Sequence, residues 1–308
     1  LVVVPMFHIT GMVSVMHSAI YIGATLILMP RWDRDLAGRL ISRYQVTHWT
    51  NIPTMVIDLM GSPNFEKYDL TSLVHIGGGG AAMPQAVAQR LFEQCGLRYV
   101  EGYGLTETAA PSHSNPPDAP KQQCLGIAFI GVDARVIDPE TLAEMSQGEA
   151  GEIIMNGPQI FSGYWKRPDA TKAAFIDKDG KSFFRSGDLG RIDEDGYFFI
   201  TDRLKRMINA SGFKVWPAEV EALMFRHPAI QEACIISTQD AYRGESVKAV
   251  VVLRSTHKQT TDQEIIDWCR ENMAVYKMPR SVQFVDALPK SGSGKVMWRL
   301  LQEAEKKT

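Results

Sequence analysis

The first hundred residues of the chain alternate between short apolar runs and segments in which apolar residues recur at helical spacing. The apolar runs predict buried strands at Leu1–Val4, Thr25–Met29, Val46–Thr50, Leu73–Ile76 and Arg98–Glu101. The helical spacing predicts a core helix at Met12–Ile22, helices that begin near Asp33 and Pro53, and a helix at Pro84–Gln94 with Val87, Leu91 and Phe92 facing inward. The segment Gly77–Gly80 is predicted to be a loop. This alternation favours a parallel sheet with helices on both faces.

The first 30 residues contain no Asp, Glu, Lys or Arg, which raises the question of a membrane span. Pro5 and several Ser, Thr and His residues interrupt this stretch, and a signal peptide would need a positively charged start. We therefore predict buried strands and a helix here, with no transmembrane segment. Because Leu1–Val4 is wholly apolar, it is expected in the middle of a parallel sheet whose other strands come from upstream of Leu1. The sequence is thus expected to be the later part of a longer protein.

The pattern changes twice further along the chain. Short β-rich runs at Ala134–Ile137, Glu152–Met155 and Tyr197–Thr201 lie between turn signals, which predicts a small antiparallel barrel or sandwich. The last part predicts helices at Pro217–Phe225, Thr261–Asn272 and Val296–Lys306, and strands at Ala233–Ile236 and Val247–Leu253. The predicted fold class is therefore α/β plus α+β. A parallel-sheet subdomain (1–117) and a β-barrel-like subdomain (118–203) form one large portion, and a compact C-terminal α+β domain covers 204–308.

The composition is that of an ordinary globular protein, with 45% hydrophobic and 22% charged residues. The formal net charge is −2 and no basic patch occurs, so a nucleic-acid partner is not expected. The four cysteines, Cys95, Cys124, Cys234 and Cys269, form no C-x-x-C pair. This excludes the usual structural zinc patterns and favours free thiols in a reducing cytoplasm.

The segment Pro289–Lys295 superficially resembles a phosphate-binding loop. That motif needs a glycine where Pro289 stands and a Ser or Thr where Val296 stands, so the identification fails. What remains is Lys295 on a Gly/Ser loop, where its ammonium group can meet a phosphate or a carboxylate. A solvated, flexible loop without such a role is the alternative.

Two further clusters carry chemistry. In Gly102–Glu107, which follows a predicted strand, the Tyr103 ring can face a base, Thr106 can donate to a phosphate oxygen, and Glu107 can hold Mg²⁺. A turn followed by a helix cap would explain the same residues. In Ser186-Gly187-Asp188, the carboxylate after a glycine turn can accept hydrogen bonds from a ribose diol, or it can form an Asx-turn.

The ordered set of motifs resembles the adenylate-forming superfamily, specifically its acyl-CoA synthetases. The matching segments are Met6–His8, Gly102–Glu107, Gly151–Pro168, Ser186–Asp188, Asp202–Lys205, Ser211–Glu221 and Pro289–Lys295. Together they cover essentially the whole chain. The resemblance implies ligation in two steps, in which a carboxylic acid and MgATP give acyl-adenylate, and CoA then gives the thioester and AMP. Mg²⁺ is the implied cofactor, and ATP and CoA are implied substrates.

The resemblance also implies roles for individual residues. Lys295, Thr106 and Glu107 would be catalytic, Lys295 between the carboxylate and the α-phosphate and Glu107 as the metal ligand. The C-terminal domain would be mobile, and Lys205 would be the hinge about which it turns. The nucleotide would further contact Gly80, Glu101, Gly102, Tyr103, Asp188, Ile200 and Arg203. The implied CoA residues are Ser211, Gly212 and Phe213, and the implied acyl pocket comprises His8, Gly77, Gly78, Gly79 and Ala81.

Two departures from the family pattern matter. The Gly-rich loop that cradles the β- and γ-phosphates is absent, and Asn209 stands where many members have a lysine that assists thioester formation. A medium- or long-chain fatty acid is the expected substrate, and an aryl acid or transfer to a carrier protein is the alternative. From another class, a catalytically incomplete nucleotide- or acyl-binding fragment also remains open. The expected partners are small molecules in the cytoplasm, with a homodimer left open.

Overall fold

The computed structural model describes residues 1–80, 82–210, 213–240, 244–291 and 295–306, and its contacts divide the chain into two units. Unit 1 comprises Leu1–Ser186 and Gly190–Ile200. Unit 2 comprises Gly187–Leu189 and Thr201–Thr308. The predicted hinge, Lys205, therefore lies a few residues inside unit 2, and its role stays a prediction.

The first sheet of unit 1 contains three of the five strands that the sequence predicts for this region; Leu1–Val4 and Thr25–Met29 are not among its strands. Its strands are β1 (His48–Asn51), β2 (His75–Gly78), β3 (Tyr99–Leu105), β4 (Ala110–Ser114) and β5 (Ile127–Ala128), in that order. Strands β1 to β3 are parallel, whereas β4 pairs antiparallel with both β3 and β5. The accompanying helices are α1 (Ser18–Tyr21), α2 (Arg34–Tyr44), α3 (Pro53–Met60) and α4 (Gln85–Cys95). Asp33 caps α2, because its carboxylate accepts the Leu36 N–H at 2.7 Å.

Several local predictions for this region are wrong. The segment Leu1–Val4 is buried but makes only one bridge, between Val2 and Leu28, among the described residues. The predicted core helix is a π-helix at Thr10–His17 that continues as α1. Its last apolar side chains, including Tyr21 and Ile22, are exposed within the described part of the chain. An apolar run predicts side chains that are more stable away from water, but it does not identify which part of a protein covers them.

Two glycines and one aromatic residue also differ from the prediction. Gly77 and Gly78 lie in β2 rather than in a loop, because the parallel pairing with β3 continues to Gly78, opposite Glu101. Phe92 points outward and is 44% exposed, while Ala88 and Leu91 form the buried face of α4. Arg98 lies over the Phe92 ring at 5.4 Å and so covers part of it.

The second sheet is an open half-barrel, consistent with the predicted barrel-like subdomain. Its strands are β6 (Asp133–Ile137), β7 (Gly151–Asn156), β8 (Phe175–Lys178), β9 (Lys181–Ile192) and β10 (Phe198–Arg203), and one helix, α5 (Pro168–Ala173), precedes β8. The order is β10-β9-β7-β6, with β8 also on β9. The sequence did not predict β9, which contains Ser186-Gly187-Asp188. The motif is therefore part of a strand and not a separate turn.

Unit 2 contains the predicted C-terminal α+β fold. Its strands are β11 (Ile208–Ala210), β12 (Phe213–Val215), β13 (Ile230–Asp240), β14 (Gly244–Leu253) and β15 (Ser281–Phe284), and its helices are α6 (Pro217–Met224), α7 (Asp262–Asn272) and α8 (Trp298–Glu305). The sheet order is β12-β11-β14-β13, with β15 parallel to β14. Val220, Val251, Ile265 and Cys269 lie in its core. Among the described residues of the chain, no helix is long and apolar enough to cross a membrane.

Candidate active site

The carboxyl ends of the parallel strands in unit 1 form a tightly packed edge. Gly78 lies opposite both Asn51 and Glu101 in the strand pairing. A Cβ atom on Gly78 would lie 1.8 Å from the Asn51 carbonyl oxygen, so no larger residue fits there without movement. Gly80 differs, since its φ is +85° and a Cβ would meet nothing within 4 Å. The glycines of this segment therefore serve close backbone packing first and chain reversal second.

The other predicted acyl-pocket residues lie in different environments. A Cβ on Gly77 would lie 2.3 Å from the Val100 carbonyl oxygen, and one on Gly79 would lie 2.3 Å from that of Gly102. His8 is exposed, and its Nδ1 accepts the Thr10 N–H at 3.3 Å. Ala81 lies outside the described residues. Their role in binding an acyl group stays a prediction.

Glu101 is a buried carboxylate that binds backbone amides. Its Oε1 accepts the Met83 N–H at 2.7 Å and its Oε2 accepts the Cys124 N–H at 3.2 Å. Burial raises the pKa of Glu101, and these amide donors partly oppose the rise. The carboxylate thus joins two loops to β3, which leaves the backbone of this strand, rather than the Glu101 side chain, for a ligand.

The two residues after Glu101 are placed differently from each other. Gly102 is closely packed, because a Cβ there would lie 3.3 Å from the His113 carbonyl oxygen, a tight contact with backbone. The Tyr103 ring is buried, 8% exposed, and lies 5.7 Å from the His113 ring. The aromatic face that the sequence offers to a base is therefore packed against protein in unit 1.

The segment Thr106–Glu107 lies on a strained turn at the end of β3. A 3-10 turn at Thr106–Thr108 is followed by Ala109 and Ala110, whose φ angles are +50° and +83°. Left-handed backbone costs about 1–3 kcal/mol at a residue with a side chain. Thr108 stabilises the turn, since its hydroxyl accepts the Leu105 N–H at 2.8 Å and lies 2.7 Å from the Ala110 carbonyl oxygen. This support keeps the Thr106 side chain exposed and Glu107 partly exposed.

The carboxylate of Glu107 has one engaged oxygen and one available oxygen. Oε1 accepts the Tyr164 hydroxyl at 2.8 Å. Within the described residues, Oε2 has no hydrogen-bond or ion-pair partner. Burial, followed by the bond to Glu107, raises the pKa of Tyr164 to about 12, so this phenol stays protonated and donates. The sequence marked Tyr164 only as part of a motif, because its partner lies 57 residues away.

These atoms fit a hard divalent cation. A carboxylate oxygen such as Oε2 of Glu107 is a ligand that Mg²⁺ takes in proteins, usually with water and phosphate oxygens completing the shell. No group of three or more His, Cys, Asp or Glu side chains that could hold a metal occurs in the described part of the chain. A magnesium ion at Glu107 would therefore take most of its ligands from a nucleotide and from water.

Unit 2 brings together three residues that the sequence singled out separately. Asp188 is 1% exposed, and its Oδ1 lies 2.9 Å from Nε of Arg203. The pKa of Lys295 is lowered, first by desolvation and then by the charge of Arg203, while Asp188 opposes the shift. The Lys295 loop is closed by the Ser291 N–H, which donates to the Lys295 carbonyl oxygen at 2.8 Å. Residues 107 positions apart in the sequence, Asp188 and Lys295, thus interact electrostatically.

Asp202 has a structural role that the sequence did not predict. Its side chain is 4% exposed and accepts the Ala218 N–H at 2.7 Å and the Arg203 N–H at 2.6 Å. Ala218 is in the first turn of α6, so this carboxylate satisfies a free amide at the helix start. The same residue thereby fixes the backbone that presents Arg203.

The predicted CoA residues are only partly described. Ser211 and Gly212 lie outside the described residues, as does the side chain of Lys205. Phe213 is exposed and stacks on Tyr276, with ring centroids 4.9 Å apart. These two rings border a groove that also contains Arg280 and Ser246. The Ser246 hydroxyl is buried and has no hydrogen-bond partner among the described residues, so the groove combines apolar faces with polar groups. Ile200, on β10, is exposed.

Family models match both parts of the chain. The model of the AMP-binding enzyme matches residues 1–165, and the model of the AMP-binding enzyme C-terminal domain matches residues 219–295. A long-chain-fatty-acid–CoA ligase of Bacillus subtilis is 38% identical over 304 residues, which are 98% of this chain and 53% of that protein. A feruloyl-CoA synthase of Amycolatopsis sp is 37% identical over 300 residues, which are 96% of this chain and 60% of that protein. The chain thus spans little more than half the length of these relatives.

Solved structures of adenylate-forming enzymes also match nearly the whole chain. MatB from Rhodopseudomonas palustris with bound ATP has a TM-score of 0.91 and 33% identity, over 99% of this chain and 59% of that one. The o-succinylbenzoate CoA synthetase of Bacillus subtilis, in complex with its acyl-adenylate intermediate, has a TM-score of 0.84 and 29% identity. That match covers 97% of this chain and 59% of the other.

Proposed function

Since the chain belongs to the family of AMP-binding enzymes, we propose that the protein containing it is an ATP-dependent acid–CoA ligase. In the proposed reaction, a carboxylate attacks the α-phosphate of ATP and gives acyl-AMP and pyrophosphate. The thiol of CoA then attacks the acyl-AMP and gives a thioester and AMP. The observation that carries the proposal is the convergence of Asp188, Arg203 and Lys295 within unit 2.

The first step must bring two anions together. A cation directed at the point where a carboxylate meets a phosphate lowers their repulsion most in the transition state, and Lys295 is proposed for this role. Asp188 would accept hydrogen bonds from the ribose hydroxyls, and Arg203 would orient Asp188 through the 2.9 Å contact. The charges of Arg203 and Asp188 both act on the Lys295 ammonium, which supports a position of this lysine beside the pair.

Unit 1 is proposed to handle the phosphates. When Mg²⁺ is bound, it supplies positive charge that neutralises the phosphate oxygens. Glu107 would hold this ion through its available oxygen, Oε2, and Thr106 would donate its exposed hydroxyl to a phosphate oxygen. The strained turn supports this proposal, because backbone strain held by specific hydrogen bonds is characteristic of functional sites.

The second step is assigned to the C-terminal domain, residues 204–308. Lys205 is proposed as the hinge about which this domain turns after acyl-AMP has formed, a gating motion of the lid type. Phe213, with Ser211 and Gly212 before it, would line the path of the pantetheine chain. The exposed stack of Phe213 on Tyr276 supports an aromatic wall at this place.

A fatty acid of medium or long chain is the proposed acid, with an aryl acid as the second candidate. The B. subtilis fatty-acid ligase is 38% identical to this chain and the feruloyl-CoA synthase is 37% identical, so identity alone does not separate the two classes. The acid should therefore be identified by experiment. His8 and the segment from Gly77 to Ala81 are the proposed acyl-pocket residues for that purpose.

Acid-dependent ATP–pyrophosphate exchange tests the proposed function directly. The full-length protein is assayed with fatty acids of graded length and with hydroxycinnamic and benzoic acids. The acid that gives the fastest exchange is then offered CoA or a phosphopantetheinyl carrier protein as acceptor. We expect fatty acids and CoA to be preferred. If no acid supported exchange, the ligase assignment would be contradicted. If the acyl group were transferred only to the carrier protein, the carrier and not CoA would be the acceptor.

A further inference from the structure

The segment Phe161–Tyr164 binds Glu107 at two points. The Phe161 N–H donates to the Glu107 carbonyl oxygen at 2.8 Å, and the Tyr164 hydroxyl donates to Oε1 at 2.8 Å. One bond fixes the backbone of Glu107 and the other fixes the rotation of its carboxyl group. The two oxygens of this carboxylate are therefore not equivalent, since Oε2 alone has no partner among the described residues.

Tyr164 is itself held in place. Its ring lies 4.8 Å from the Phe161 ring, which stacks in turn on Phe175 at 5.4 Å. Its N–H donates to the Thr171 hydroxyl at 2.9 Å. A Cβ on the preceding residue, Gly163, would lie 2.6 Å from Thr171 Cγ2, and the φ of Gly163 is +144°. The hydroxyl of Tyr164 thus comes from a supported position and not from a freely rotating surface side chain.

The number of oxygens that a carboxylate offers affects which cation it prefers. Mg²⁺ is small, requires nearly ideal octahedral geometry and usually takes one oxygen from a carboxylate, whereas Ca²⁺ is larger and commonly takes both. A hydrogen bond to Oε1 competes with two-oxygen coordination and leaves one-oxygen coordination unchanged. The geometry at Glu107 therefore disfavours the mode that suits calcium.

We propose that Tyr164 is a positioning residue that makes Glu107 a one-oxygen ligand and thereby favours Mg²⁺ over Ca²⁺. The inference rests on the proposed function, because it takes Glu107 as the metal ligand of a nucleotide complex. It goes beyond that function in assigning metal selectivity to a residue that acts through its hydrogen bond to Glu107. Tyr164→Phe removes the hydroxyl and keeps the ring that packs on Phe161.

Competition with Mn²⁺ measures the selectivity without turnover. The full-length protein is mixed with α,β-methylene-ATP and Mn²⁺, and electron paramagnetic resonance reports free Mn²⁺ as Mg²⁺ or Ca²⁺ displaces it. For Tyr164→Phe we expect the preference for Mg²⁺ over Ca²⁺ to fall about fivefold, the size of losing one partly exposed hydrogen bond to a charged group. The change should come mainly from tighter Ca²⁺ binding.

Tyr197→Phe is the matched control. Its hydroxyl donates to the Ala119 carbonyl oxygen at 2.8 Å, so the substitution also removes one tyrosine hydrogen bond from unit 1. We expect its metal preference to equal that of the wild type. If Tyr164→Phe does not fold, Tyr164→Leu provides a second variant that lacks the hydroxyl.

An unchanged Mg²⁺/Ca²⁺ ratio in the folded variant would overturn the inference, as would equal weakening of both metals. The second result would mean that Tyr164 only supports the fold around Glu107. Wild-type protein that binds Mn²⁺ with the analogue but catalyses no pyrophosphate exchange would contradict the proposed function alone. Wild-type protein that does not bind Mn²⁺ in the presence of the analogue would overturn both.

Discussion

Protonation of His113 is expected to destabilise unit 1 as the pH falls from about 6.5 towards 4. The ring is fully buried on β4, 4.5 Å from the Phe198 ring and 5.7 Å from the Tyr103 ring. Its Nδ1 lies 2.9 Å from the Ser112 hydroxyl, and its Nε2 is buried with no partner among the described residues. A proton on Nε2 would therefore be a buried donor with nothing to accept it.

The size of the effect follows from the pKa. Burial lowers the pKa of His113 from 6.5 to about 4 in the folded protein. Above pH 6.5 both states carry a neutral ring, so pH has no effect through this group. Between pH 6.5 and about 4, the ring binds a proton in the unfolded chain but not in the folded protein. The free energy of unfolding therefore falls by about 1.4 kcal/mol per pH unit. The loss reaches about 3 kcal/mol near pH 4 and then stays constant.

Urea unfolding of wild type and His113→Gln between pH 7.5 and 4.5 measures this loss. Other groups titrate in the same range, so the informative quantity is the difference in unfolding free energy between the two proteins. That difference should change by about 2–3 kcal/mol across the range, because glutamine takes up no proton. His17→Gln, at an exposed position, is the control and should follow the wild-type curve. A difference that stays constant within about 0.5 kcal/mol would refute the reasoning.

Three further outcomes are expected. In the full-length protein, Lys295→Ala should reduce adenylation at least about 100-fold in pyrophosphate exchange and spare thioester formation from preformed acyl-adenylate; equal loss of both steps would contradict its role. Asp202→Ala should destabilise unit 2 by about 2 kcal/mol in urea unfolding and Asp202→Asn by about half, since an amide oxygen can serve only one of the two N–H groups. Gly78→Ala should cost about 2–3 kcal/mol of unfolding free energy against about 1 kcal/mol for Gly80→Ala, because only the first Cβ meets a carbonyl oxygen; equal losses would contradict the packing argument.

Elements with strong local signals were predictable from the sequence. Pro53 and Pro217 each occupy the first turn of a helix, where a missing N–H costs nothing, and Asp33 has the capping side chain that its sequence position indicates. The parallel pairing of β1, β2 and β3 followed from alternating apolar runs and helices. In each case neighbouring residues along the chain contain the information.

Strand β9 shows why other elements could not be predicted. Its twelve residues contain Gly187 with a φ of +70° and several charged side chains, and its buried positions do not alternate. Period-two patterning, on which strand prediction depends, is therefore missing. The strand is defined instead by its pairing with β7, β8 and β10, all contributed by other parts of the chain. Asp188 owes its position to that pairing.

In the candidate site, too, some residues have a local sequence signal and others depend on distant partners. Thr106, Glu107, Asp188 and Lys295 have functional groups that suggest chemistry wherever they occur, so a motif is enough to make them candidates. The residues that orient them have ordinary chemistry and distant partners. Tyr164 binds Glu107, which is 57 positions away in the sequence, and the residues around neither one indicate this contact.

The strained turn after β3 connects these observations. Two successive alanines in left-handed conformations would disfavour this backbone by about 2–6 kcal/mol if nothing opposed the strain. The Thr108 hydroxyl and the Phe161 N–H oppose it with hydrogen bonds from both sides of Glu107. Because these bonds fix the backbone of Glu107, the proposed binding of a cation there would require little further ordering. The precision of the carboxylate thus depends on Thr108 and Phe161, two residues that would not contact the substrate.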